Sequence, residues 1–215
     1  MLKSFHQFIN EAVIQPYDFD GTLAELSNRD EITIEDMNST LDQFGVAFVE
    51  ADEFIENLET EKEKSLVPIN MPPLFGGIRW GAHNVHNDMI YICIQPDQFK
   101  IALNRDRPRI FSFLREILRH ESIHKQQAGR RPHIKIRNLE NSPVESKKYF
   151  SSTDEIMAYA DSFIVQARNR GLSNDEILDA LAHGNKVSWI QDVYSKLEPR
   201  VINRFRKYVY KYLRG

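Results

Sequence analysis

"LREILRHESIHKQQ", Leu114 to Gln127, reads as an amphipathic helix whose apolar side is interrupted by His120, Glu121 and His124. Phe111, Phe113, Leu114, Ile117, Leu118 and Ile123 surround most of this helix, so the spacing predicts burial on several sides over about 108–128. Residues four apart on a helix lie on one face, one turn from each other. His120 and His124 can therefore direct two imidazoles at one point outside the helix. Two histidines and a glutamate in such a helix would be costly to desolvate without partners.

Neutral imidazole is a good zinc ligand, and a catalytic zinc has three protein ligands plus a water. Glu121 follows His120 directly and can reach a zinc-bound water without occupying a coordination position. Zinc lowers the pKa of that water, and a carboxylate can take its proton as it attacks a carbonyl. Those are the mechanics of an H-E-x-x-H motif. The plainer alternative is an exposed polar stripe, or a core histidine with a hydrogen-bond partner.

A third ligand must come from elsewhere in the chain. Gly129 and His133 fall five and nine residues after His124, not the three and six of the extended metzincin pattern. Glu155, in "SSTDEIMAYADSFI", is the better candidate, at the start of a second helix expected over about 153–169. Asp154 and His133 are alternatives to it. Ser152 and Glu155 also form a capping box, which would turn the same carboxylate to a structural use. Tyr159, one turn on, would share the face of Glu155 and can support a ligand or stabilise an oxyanion, or simply pack in the core.

"ILRHESIHKQQ" followed by "DEIMAYADSFI" resembles the short gluzincin-like zinc peptidases of phages and bacteria, over roughly residues 85–170. The resemblance implies a zincin-like fold, zinc on His120, His124 and Glu155, and Glu121 as general base. It also implies that the strand before the active-site helix, about Met89 to Gln95, aligns an extended peptide or protein substrate. One departure stands out: thermolysin-like enzymes carry an aspartate where this chain has Tyr159.

The first residues, "MLKSFHQFINEA", place Phe5, Phe8, Ile9 and Ala12 at helical spacing. They resemble the capsid-targeting segment of internal head proteins of large tailed phages, which is cut after glutamate. That resemblance implies cleavage after Glu11, a capsid or scaffold as partner, and residence in the phage virion or the host cytoplasm. An ordinary N-terminal helix docked on the core is the alternative.

Composition bounds the rest. With 215 residues, 41% hydrophobic and 27% charged, the chain is an ordinary globular one with enough length for a sizeable core. No apolar run approaches the ~20 residues that span a membrane, and the N-terminus lacks the apolar core of a secretory signal. The lone Cys93 reads as a buried small residue in a strand. Net charge is −3, unevenly divided as −12 over residues 1–64 and +9 over the remainder. This reads as two mutually attracting segments, so nucleic acid is not expected as a partner.

The element order expected is helices at about 34–44 and 46–63, two strands within "IRWGAHNVHNDMIYICIQ", then the H-E-x-x-H helix and four more at about 153–169, 174–183, 186–197 and 199–213. Residues 16–34 read as turn-rich and 129–151 as a basic loop. The class is α+β, mostly helical, with a small antiparallel or mixed sheet beside the H-E-x-x-H helix, as one domain over 16–215 preceded by the N-terminal segment 1–15.

Two further motifs carry alternative readings. "YDFDGTLAEL" matches the start of haloacid-dehalogenase-like phosphatases, with Asp18 as nucleophile and Asp20 as acid, but Pro16 breaks the preceding strand and no βαβ alternation follows. "PRVINRFRKYVYKYLR" can lie on nucleic acid or an anionic membrane, although a solvated basic helix packed by its aromatic side is more usual. The expected function is zinc-dependent peptide hydrolysis. A non-enzymatic head protein or host-directed binding effector on the same fold is the alternative.

Overall fold

A computed structural model describes residues 16–56, 75–84, 87–130, 150–183 and 187–214. His133, Glu11 and the N-terminal helix expected around Phe5 to Ala12 lie outside the described residues. The chain opens with α1 (Asp20–Ser27) and α2 (Ile34–Leu41), then β1 (Val46–Glu50) and a short α3 (Ala51–Glu56). A hairpin of β2 (Ile78–Asn84) and β3 (Met89–Ile94) follows, then α4 (Pro96–Arg105) and the long α5 (Arg107–Arg130). The chain closes with α6 (Thr153–Asn169), α7 (Asn174–His183), α8 (Trp189–Ser195) and α9 (Pro199–Arg214). The molecule is thus mostly helical with a small mixed sheet, an α+β arrangement. Among the described residues no helix is long and apolar enough to cross a membrane.

The sheet order is β1-β3-β2, parallel between β1 and β3 and antiparallel between β3 and β2. Central β3 buries Ile90, Ile92, Cys93 and Ile94, as a strand covered on both faces should. Two expectations fail here. Residues 46–50 form a strand where a helix over 46–63 was expected, because Val46 and Phe48 alternate inward and β1 pairs with β3 from Val46↔Ile90 to Glu50↔Ile94. Asn38 of α2 completes the arrangement, its side chain accepting from the Phe48 N–H at 2.6 Å and donating to the Phe48 carbonyl at 3.2 Å. Second, β3 lies between two strands and has no edge to offer a peptide. Among the described residues the edge strand beside α5 is β2.

Residues 16–34, expected as turns, contain α1, held by buried Leu23 and Leu26. Asp18 stands in the segment before α1, not at the end of a parallel strand, and its carboxylate accepts from the Asp20 N–H at 3.0 Å. Asp20 pairs with Arg115 of α5 at 2.6 Å. The dehalogenase-like motif therefore opens α1 and tethers it to α5. Helix α4 went unforeseen, and α5 continues through Gly129 instead of stopping there.

Two apolar clusters share α5. Ile110, Phe111, Leu114 and Leu118 belong to the cluster built with the sheet, α1, α2 and α4, whereas Ile123 belongs to the one built by α6 to α9. His120, Glu121 and His124 fall at the changeover. Between α5 and α6 the contact is also polar: Arg119 grips Asp161 through Nε–Oδ2 at 3.0 Å and Nη2–Oδ1 at 2.8 Å.

Candidate metal centre

Helix α5 supplies His120 and His124 one turn apart, and the first turn of α6 supplies Glu155. Their Nε2 atoms stand 3.1 Å from each other. Glu155 Oε1 lies 3.4 Å from His124 Nε2, and Oε2 lies 3.7 Å from His120 Nε2. Ligands about 2.1 Å from a tetrahedral ion sit about 3.4 Å apart, so these spacings suit zinc. One ligand atom from each residue falls within 4.8 Å of the others, among side chains that are largely buried.

The outer hydrogen bonds decide which nitrogens face inward. Gln127 donates from Nε2 to the Asp154 carbonyl at 3.2 Å, which leaves its Oε1 to accept from His124 Nδ1 at 2.9 Å. His120 Nδ1 faces Ser162 Oγ at 3.4 Å. With Nδ1 carrying the proton in each ring, both Nε2 lone pairs point into one space. Two lone pairs at that distance repel unless a proton or a cation lies between them. Glu155 Oε2 is buried without a hydrogen-bond partner in the same place, an acceptor that a cation would satisfy. The residues present therefore fit a metal ion.

Electrostatics agree with that geometry. Burial works against a charged His124, but the Glu155 carboxylate outweighs it and lifts the ring to about 10. Burial likewise opposes charge on Glu155, yet the two imidazoles hold its carboxyl well below the usual range. The cluster is thus strongly cation-seeking, and a proton fills the role when no metal does.

Ser152 bears on the choice between ligand and cap. Its Oγ accepts from the Glu155 N–H at 3.2 Å and so caps α6, but the Glu155 carboxylate turns away towards the histidines. Asp154 contributes its carbonyl to Gln127. Tyr159 sets its ring edge-on to His120 at 4.7 Å, with Phe150, Tyr194 and the half-exposed Trp189 packed around it. Tyr159 was singled out from sequence, but Phe150, Trp189, Tyr194, Ser162 and Gln127 were not. Helical spacing held the signal for two of them: Gln127 is three residues after His124, and Ser162 is seven after Glu155.

Glu121 points between α5 and β2. A Cβ on Gly81 would come within 3.2 Å of its Cγ and 2.3 Å of Ile117 Cγ2, so only glycine lets the strand approach the helix this closely. Glu121 makes no hydrogen bond or ion pair among the described residues, which leaves its carboxylate available. The hairpin is pinned nearby. Asp88, at φ +55°, accepts from His83 Nε2 at 3.0 Å, and Lys125 lies 3.3 Å from its carboxylate.

If Gln127 orients His124 as described, Gln127→Leu should weaken zinc binding about 10- to 100-fold while the protein stays folded. Competition against a calibrated zinc chelator measures this, and circular dichroism monitors the fold.

In comparisons with known proteins, no family model, curated protein or solved structure matches the chain.

Proposed function

We propose that the chain is a zinc-dependent hydrolase of the metallopeptidase kind, with a zincin-like fold. The observation that carries this reading is the pair of Nε2 atoms facing each other at 3.1 Å, beside a buried Glu155 oxygen that lacks a partner. His120, His124 and Glu155 would hold the ion, and bound zinc supplies Lewis acidity that polarises a carbonyl and acidifies water.

The chain's own residues do the rest. Glu121, next to a ligand yet directed towards β2, accepts the proton of the attacking water and delivers it to the leaving amine. Ser162 and Gln127 hold the two rings so that the ligand set does not reorganise during turnover. The edge strand β2 runs past Glu121, where an extended peptide can add to the sheet and present its amide to the site. That geometry favours an unfolded or extended polypeptide as substrate.

The test is hydrolysis of a mixed peptide library by the purified chain. Cleavage should stop on chelation and return on adding one equivalent of zinc. Cleavage that persists after the metal is removed would refute the proposal, as would a zinc-loaded protein that cuts nothing.

The N-terminal segment is proposed as a capsid-targeting sequence removed after Glu11, which places the mature protein in a phage head. Intact mass of the protein recovered from virions tests this through a new terminus at Ala12.

A further inference from the structure

We propose that His83 is a positioning residue for Glu121, holding its carboxyl group once that group has taken the proton of the attacking water. The inference rests on the hydrolase reading above. Gly81 and His83 lie two residues apart on β2 and so share one face of the sheet. Their partners across the hairpin, Ile92 and Ile90, belong to the apolar cluster shared with α5, which makes that the face turned to α5. A Cβ on Gly81 would meet Glu121 Cγ at 3.2 Å. His83 therefore stands beside Glu121 and, one helical turn on, Lys125.

The imidazole is fixed at its far end. Its side chain is 3% exposed, and Nε2 lies 3.0 Å from Asp88 Oδ1. Asp88 holds φ +55°, a left-handed conformation that few non-glycine residues take. Lys125 donates to the Asp88 carbonyl at 2.5 Å and to the Phe44 carbonyl at 3.3 Å, which ties the hairpin turn to α5. A carboxylate only accepts, so Nε2 carries the proton in the contact with Asp88 and Nδ1 keeps its lone pair. Burial favours this neutral ring and lowers its pKa below the ordinary histidine value; Asp88 and Glu121 pull the other way, and Lys125 adds to the lowering.

Nδ1 has no partner among the described residues, and neither has the Glu121 carboxylate. Both are acceptors, so the resting pair has no hydrogen bond to form. The proton supplies it. When water gives its proton to Glu121 and its oxygen bonds the scissile carbonyl carbon, the new carboxylic O–H is a donor and Nδ1 accepts from it. No proton passes to His83. Glu121 keeps it until the C–N bond breaks and the leaving amine takes it. A bond that forms only as the proton moves stabilises the transition state and not the ground state. Pinning the hairpin, by contrast, needs Nε2 alone.

Two amide variants separate these roles. In His83→Gln the side-chain amide reproduces the bond to Asp88, but nothing replaces Nδ1. In His83→Asn an amide oxygen stands near the place of Nδ1, and the bond to Asp88 is lost. The experiment uses the full chain loaded with zinc. Nitrogen-15 NMR of its histidines, with the His83 signals assigned by their loss in His83→Gln, should show a protonated Nε2 and a bare Nδ1. The Nδ1 signal should shift in Glu121→Gln, whose amide can donate to it, a readout that needs no hydrolysis. In peptide hydrolysis His83→Gln should lower kcat about 10- to 100-fold, with KM and zinc content unchanged. His83→Asn should keep more of kcat while its melting temperature falls. A proton on Nδ1, an Nδ1 signal that ignores Glu121→Gln, or a larger kcat loss in His83→Asn than in His83→Gln would overturn the inference alone. A wild-type chain that shows the Nδ1 shift yet cuts no peptide would refute the hydrolase reading, and this role with it.

Discussion

Glu121→Gln should retain a full complement of zinc and lose hydrolysis by about 10²- to 10⁴-fold, the range over which a positioned general base contributes. The amide keeps the size and polarity of the side chain but cannot take a proton. Because Glu121 makes no hydrogen bond or ion pair among the described residues, the substitution removes no structural contact, and melting should not change. The loss should appear in kcat, with KM little altered, because the proton transfer belongs to the transition state and not to substrate binding. A variant with full activity and full zinc would remove Glu121 from the mechanism and leave the metal centre standing.

Asp161→Ala should be the most damaging single change to stability away from the metal. Asp161 is 3% exposed and accepts both arms of the Arg119 fork. Its removal leaves a largely buried guanidinium between α5 and α6 without its counter-charge, at a cost of about 3–5 kcal/mol. Arg119 keeps some solvent, with its side chain 22% exposed, which puts the expectation at the lower end. That is still a large part of the total stability of a domain this size. Urea denaturation measures it. The pair Arg119→Met with Asp161→Leu should recover much of the loss, since an apolar replacement leaves no unpaired charge behind. Zinc affinity should fall with Asp161→Ala as well, because the contact sets the spacing between the helices that carry the ligands.

The H-E-x-x-H helix was legible because its signal is local: apolar spacing, two histidines four apart, and a glutamate between them. The third ligand was only half legible. Ser152 and Glu155 satisfy a capping pattern whichever way the carboxylate turns, and sequence does not record that direction. In the fold Ser152 caps the helix through its hydroxyl while the Glu155 carboxylate faces the histidines. The same limit explains β1. "VAFVEADEFIE" supports both helical and strand periodicities, and the parallel pairing with β3 that decides between them joins residues more than forty positions apart. Residues 16–34 looked like turns because their polar composition hid Leu23 and Leu26, which pack only once α5 is present. Ser162 and Gln127 matter through hydrogen bonds to rings, which no composition argument reveals.

Metal content decides whether His120, His124 and Glu155 hold an ion. Protein purified without chelators, dialysed and analysed by elemental mass spectrometry should carry one zinc per chain. Glu155→Ala, checked for folding by circular dichroism, should carry almost none. A wild-type chain that takes up no metal, or a Glu155→Ala variant that keeps its full complement, would contradict the account.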